Sequence, residues 1–171
     1  MLAAAGPKPA AKAPPASRPK PAAGAQAAAS GFDARNPGSL IELMAGLDAR
    51  AEIVRTEGDG VMLKVTSPAG GFVAQYGGCD AHGRACAAVQ FDASAEARTA
   101  TLAELNRFNL SSLTCRMVQD SAGKPHVLYS ALVQAGESRQ AMLADINAWR
   151  GCIGDFGAFL KDPTGYLASA P

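Results

Sequence analysis

A chain of 171 residues that is 48% apolar and 18% charged is long enough for one domain with a buried core. Lys plus Arg number 16 and Asp plus Glu 15, a net charge of +1, which gives none of the basic field a nucleic-acid-binding domain needs. No run of about 18 apolar residues occurs, so no integral membrane segment is expected, and two His leave few groups for acid–base chemistry.

The charge is unevenly placed. Residues 1–31 hold Lys8, Lys12, Arg18 and Lys20 and no acid, which leaves 12 basic against 15 acidic residues in the rest. The same stretch holds 13 alanines and six of the eleven prolines, and no Val, Ile or Tyr. It cannot bury enough apolar area to offset chain entropy, and it reads as a disordered Ala/Pro/Lys-rich linker. A basic tail for nucleic acid or anionic lipid is the sharper alternative, but four charges spread over thirty residues supply little attraction. The opening Met1-Leu2-Ala3-Ala4-Ala5 lacks the basic and apolar regions of a secretory signal. It is compatible with a mature N-terminus or a shortened start.

After the linker, Ser39 reads as an N-cap. Leu40, Leu43, Met44 and Leu47 then fall on one helical face, which predicts a helix over 39–50. Ile53 and Val54 begin a strand that ends at Glu57-Gly58-Asp59-Gly60, a hairpin signal. Val61, Leu63 and Val65 alternate with Met62, Lys64 and Thr66 in a second strand. Strands over 72–76 and 87–91 follow, on either side of a glycine-bearing loop with Cys79 and Cys86. A helix over 97–109 carries Leu102, Leu105 and Phe108. Strands over 113–118 and 126–133 flank a turn at Asp120-Ser-Ala-Gly-Lys-Pro125. The last helix is the clearest: Met142, Ile146, Trp149, Ile153, Phe156 and Leu160 step by three and four, with Ser138 as cap and Asp162-Pro163 as stop. Runs of strands beside segregated helices give an α+β class, with an antiparallel sheet of about five to six strands and helices packed on it. The expected boundaries are a linker over 1–31, a domain over 32–162 and a short flexible tail over 163–171.

Four cysteines allow three pairings. A hairpin whose two ends are stapled suits Cys79 and Cys86. The rival for these residues is a metal site built from Cys79, His82 and Cys86 with Asp80, which lacks a fourth soft ligand. Cys115 shares a strand face with Met117, and Cys152 borders the apolar stripe of the last helix. If that helix packs on that strand, Cys115 and Cys152 meet. An even cysteine count fits an oxidising compartment, although buried free thiols would also suit a cytosolic protein.

The stretch from Gly78-Cys79 to Cys86-Ala-Ala-Val-Gln-Phe91 resembles the secreted branch of the YbjN family. Leu105-Asn-Arg-Phe-Asn109 resembles its Asn-x-x-Asn helix end, with Phe108 where the family has Trp. Gly123-Lys-Pro125 resembles its Gly-x-Pro hairpin, and Ile146-Asn-Ala-Trp149 with Phe156 its closing helix. The resemblance spans about 39–160. It implies a fold like the chaperones of type III secretion systems, and a role in sensory-transduction regulation without catalytic residues or a cofactor.

The residues point the same way. Cys79 with His82 could form a thiolate–imidazole pair, but a disulfide at Cys79 removes that option. No metal and no cofactor is expected. Asn106 and Asn109 are candidate interaction residues, against the plainer reading that Asn near a helix end caps backbone. The expected function is a non-catalytic protein-interaction or regulatory domain, chaperone-like, in the bacterial envelope. A structural periplasmic module held out on its linker is the alternative, and an enzyme using Cys79 and His82 a more distant one. The expected partner is a protein or peptide, with a homodimer also open. The expected location is periplasmic or secreted, with the cytoplasm as alternative.

Overall fold

The computed structural model describes residues 31–68, 70–96 and 100–169. Nearly all of the expected linker lies outside the described residues. The elements run α1 (Pro37–Ala45), β1 (Arg50–Glu57), β2 (Gly60–Ser67), β3 (Gly70–Gly77), β4 (Ala88–Ser94), α2 (Leu102–Ser111), β5 (Arg116–Gln119), β6 (Pro125–Leu132), α3 (Arg139–Lys161) and α4 (Pro163–Ser169). The six strands form one open antiparallel sheet in the order β1-β2-β3-β4-β6-β5. This is the expected α+β class. The chain leaves β4, passes through α2 to the far edge at β5, and returns to pair β6 between β5 and β4.

Period-two patterning decides which face is buried. Val61, Leu63 and Val65 of β2 are buried, while Lys64 and Thr66 on the other face are exposed. The register carries this across the sheet: Leu63 lies opposite Ala74, Ala74 opposite Phe91, and Phe91 opposite Tyr129. Helices α1, α2 and α3 pack against the sheet, and their buried residues join this face. The reverse face carries Glu52, Lys64, Val73, Asp92, Leu128 and Arg116 in a row.

Trp149 of α3 is fully buried at the centre of the core. Its ring sits 5.5 Å from Phe72 and 5.8 Å from Phe91, edge-on to the first and tilted to the second. Such contacts add to the large apolar area an indole removes from water. A hydrogen bond from the Tyr129 hydroxyl to Asp145 Oδ1, 2.6 Å, ties β6 to the same helix.

Local chemistry shifts several boundaries. The cap of α1 is Asn36, not Ser39: Asn36 Oδ1 accepts from Gly38 N, and Pro37 occupies the first turn, where its missing N–H costs nothing. Ser39 is instead buried inside the helix, and its Oγ accepts from Asp33 N. The helix stops at Ala45, so Leu47 falls in a turn where Asp48 has φ 55°, and β1 starts at Arg50 instead of Ile53. α2 starts at Leu102, because Thr101 and Glu104 form a reciprocal capping box. The earlier part of the expected helix, 97–99, lies outside the described residues. Leu102 consequently sits in the first turn, 64% exposed, and only Leu105 and Phe108 reach the core. In α3 the buried stripe takes Cys152 and Phe159 in place of Ile153 and Leu160, which are half-buried. The expected tail contains a helix: Asp162-Pro163 ends α3 and starts α4, with Asp162 Oδ1 accepting from Gly165 N. Tyr166 of α4 packs on Phe108 and Phe159 at 5.8 and 5.9 Å.

Two measurements check this core. Trp149→Ala should lower unfolding free energy by roughly 3–5 kcal/mol in a denaturant titration, the range for removing a fully buried aromatic. All three tyrosines have phenols pushed up, chiefly by burial, with Tyr129 raised to about 12 and further held by Asp145. The folded state therefore favours the neutral phenol. That contribution is complete below the unfolded value near 10 and is lost as pH rises toward the folded one. An absorbance titration should show no tyrosine ionising at its ordinary pH, and stability should decline above about pH 10.

Candidate functional site

Both cysteine pairings are present. Cys79 and Cys86 sit at disulfide distance with Cα atoms 3.7 Å apart, and Cys115 and Cys152 with Cα atoms 5.5 Å apart. The first closes the β3–β4 loop, which is also fastened to its surroundings: Cys79 N donates to Asp59 O in the β1–β2 turn, and Cys86 N donates to Arg35 O ahead of α1. With both sulfurs paired, Cys79 offers His82 no thiolate. His82 is exposed in the loop. Asp80, the possible fourth metal ligand, is spent on the backbone: its Oδ1 accepts from His82 N and Arg84 N, each at 2.9 Å. Those amide donors hold its carboxyl below the usual carboxylate value, the bond from Arg84 N being the largest cause. Among the described residues, no group of three or more His, Cys, Asp or Glu is placed to hold a metal ion.

The same turn occurs twice. Asp120 Oδ1 accepts from Ala122 N and Lys124 N, and Asp120 N donates to Lys124 O, as Asp80 N does to Arg84 O. Gly83 and Gly123 occupy the matching position at φ 68° and 75°, a conformation glycine adopts without penalty. The pattern Asp-x-x-Gly-basic is written in the sequence as Asp-Ala-His-Gly-Arg84 and Asp-Ser-Ala-Gly-Lys124. It was available to sequence reasoning and marks turns, not a site. The second His, His126, lies on β6 with Nδ1 2.8 Å from Asp92 Oδ1 and Nε2 3.8 Å from Asp120 Oδ2.

The two asparagines separate in role. Asn109, half-buried at the end of α2, clamps the backbone of Met117: its Nδ2 donates to Met117 O at 2.9 Å, and its Oδ1 accepts from Met117 N at 2.7 Å. A side-chain amide thereby pairs with a main-chain amide and fixes α2 against the edge strand β5. Asn106, one turn earlier, is exposed.

The surface feature that sequence reasoning missed lies between these two elements. The expected strand over 113–118 starts only at Arg116, so Leu113 is in a loop. Leu113 is 94% exposed and Leu110, at the end of α2, is 88% exposed. The loop around them is firmly held. Ser112 N donates to Phe108 O, Cys115 N donates to Ser112 Oγ, and Arg116 Nη1 donates to the carbonyls of Ser112 and Cys115 at 2.8 Å each. The Cys115–Cys152 pair then joins the loop to α3. A cleft of about 390 Å³ opens beside it, with Phe108, Ser112, Leu113, Thr114, Asp155 and Tyr166 among its lining. Large exposed apolar side chains on a fixed loop, next to a cleft with one carboxylate, are suited to docking a protein segment.

The fold and this surface define an open-sheet α+β domain with a presented apolar loop. Residues 36–158 match the family model of YbjN, described as "Putative bacterial sensory transduction regulator". The chain belongs to the YbjN family. No curated protein and no solved structure matches it. No helix among the described residues is long and apolar enough to cross a membrane.

The roles given to the asparagines make a paired prediction. Asn109→Ala should cost about 1–3 kcal/mol in thermal or denaturant unfolding, because it leaves the Met117 amide and carbonyl without partners in a half-buried place. Asn106→Ala should stay within about 0.5 kcal/mol of the parent, as exposed substitutions do.

Proposed function

We propose that this domain is a non-catalytic regulatory module that takes a protein or peptide partner at the cleft beside Leu113, and that it works in an oxidising compartment, the periplasm. The observation that carries the reading is the exposure of Leu110 at the end of α2 and Leu113 in the fixed loop that follows it, 88% and 94%. An apolar side chain held out in water by a loop that the Ser112 and Arg116 hydrogen bonds and a cross-link fasten gains nothing for the fold. It gains when a partner covers it, and the loop's rigidity keeps the ordering cost of that step small. The family description supports a regulatory role. The chaperone-like binding mode rests on the family resemblance, and the cleft supplies a surface for it.

The cysteines support this choice of compartment. Two disulfides with no free thiol in the chain suit an oxidising milieu, and structural disulfides are rare where thiol reductants are maintained. The same pairing argues against nucleophilic chemistry at Cys79. The alternative of a purely structural module held on the Ala/Pro/Lys-rich segment makes no use of the exposed leucines.

A photo-crosslinking residue placed at Leu113 in the native cell should capture a discrete protein partner, and one placed at Lys64 on the open sheet face should not. The double variant Leu110→Ser, Leu113→Ser should abolish capture from a further probe at Ser169 while changing stability by less than about 0.5 kcal/mol. Equal capture from Lys64 and Leu113 would contradict the assignment of the cleft. Recovery of the protein with all four thiols reduced would contradict the compartment.

A further inference from the structure

We propose that β1 is a self-complementary edge through which two copies of this chain pair as antiparallel strands into one continuous twelve-stranded sheet. The strand is eight residues long and stands at one end of the sheet order, with no strand beyond it among the described residues. Ile53 and Val54 at its middle are each 51% exposed. Natural edges of this length are commonly blunted by Lys, by Pro or by a bulge, and β1 has only the last, a register shift between Ile53 and Arg55 that two antiparallel copies would place opposite each other. The β1 sequence Arg-Ala-Glu-Ile-Val-Arg-Thr-Glu contains neither Lys nor Pro, and its two Arg and two Glu sum to zero, so two copies meet without net repulsion.

The register makes the argument specific. Arg50, Glu52, Arg55 and Glu57 lie opposite Thr66, Lys64, Met62 and Gly60, all on the open face of β2. Glu52 and Arg55 are three residues apart and would face opposite sides of a regular strand. They share a face because the register shifts between Ile53 and Arg55. A two-fold axis between Ile53 and Val54 then sets Arg50 across from Glu57 of the second copy and Glu52 across from Arg55, with Ala51 across from Thr56 on the core side. Every charge on the strand meets its opposite, and symmetry repeats each pair. Directly opposed side chains of opposite charge favour pairing, and like charges oppose it. Within one copy the same residues make only exposed contacts, Arg50 to Glu52 at 3.1 Å and Arg55 to Glu57. Such surface pairs contribute little, so exchanging them for cross-strand partners is easily accommodated. A strand-to-strand contact is small, which places the dimer in the weak, concentration-dependent class. Since β1 and β5 are opposite edges, the dimer carries its two leucine loops at its two ends and can engage a repeated partner bivalently.

The test is sedimentation equilibrium of the full, oxidised chain from about 1 μM to about 1 mM, the span in which small interfaces associate. The parent should pass from monomer to dimer. Glu52→Arg and Arg55→Glu should each weaken dimerisation about tenfold or more, since each turns two symmetric attractions into repulsions. The double variant Glu52→Arg, Arg55→Glu restores opposite charges across the axis and should recover parental affinity to within about threefold. Leu113→Ser should leave association unchanged. A parent that stays monomeric throughout, single reversals without effect, a double variant no better than the singles, or loss of the dimer in Leu113→Ser would each overturn the proposal.

Discussion

The contact on which this fold depends is the insertion of Trp149 between α3 and the sheet, against Phe72 of β3 and Phe91 of β4. An antiparallel sheet with one apolar face needs a cover, and most of the cover at its centre comes from one 23-residue helix. Trp149 fixes where that helix lies, and the Tyr129–Asp145 hydrogen bond fixes it a turn away. Met142, Ile146, Cys152, Phe156 and Phe159 then point into the core by helical geometry alone. The face of the sheet away from α3 mixes charged side chains with Val73 and Leu128.

What lies beyond that centre is held by pins more than by area. Strand β5 is only four residues long and sits at an edge, where a short strand has little of its own to keep it. The Asn109 amide takes the place of a further strand partner for Met117. The Cys115–Cys152 pair fastens the loop just before β5 to α3. The triangle of Phe108, Phe159 and Tyr166 seats α4 on the same corner. These three devices converge around the cleft, so the apolar loop there is supported from the strand side, the helix side and the chain terminus at once. The opposite corner has its own staple, Cys79–Cys86, bonded through its backbone to the β1–β2 turn and to the segment before α1.

Much of this was legible in the residues. The period-two run of β2 and the three-and-four stepping of α3 come from the burial each element needs, and both survive as read, with one adjustment. Cys152 and Phe159 replace Ile153 and Leu160 because the true helical period drifts against a regular stripe, and because Cys152 turns inward to Cys115. The stapled hairpin suggests Cys79 with Cys86, and Cys115 with Cys152 is expected only if α3 packs on the expected strand over 113–118; the structure brings each pair to disulfide distance. Boundaries fared worse where competing caps stood close together. Asn36 and Ser39 are both good caps, and Pro37 decides between them by favouring the first turn. The capping box at Thr101-x-x-Glu104 sets the start of α2 later than helix propensity alone suggests. The candidate site was the least legible part. Leu113 looks like the inward residue of a strand, and only the hydrogen bonds of Ser112 and Arg116 end the ladder before it. Asn109 does bond backbone, as the plainer reading of an asparagine near a helix end has it, but its partner is Met117 of β5, eight residues on, and not its own helix end.

The central claim is a division of labour: Trp149 secures the core, and the Cys115–Cys152 cross-link secures the apolar loop at the cleft. Amide hydrogen exchange on the oxidised protein and on the Cys115→Ala, Cys152→Ala variant tests it directly. The account predicts that the loop over 112–116 exchanges much faster without the cross-link, while the amides of α3 around Trp149 and of β2 to β4 stay in the slowest class, as the most stable cooperative unit does. Uniform acceleration across the sheet and α3, or a loop whose exchange is unaltered, would contradict it.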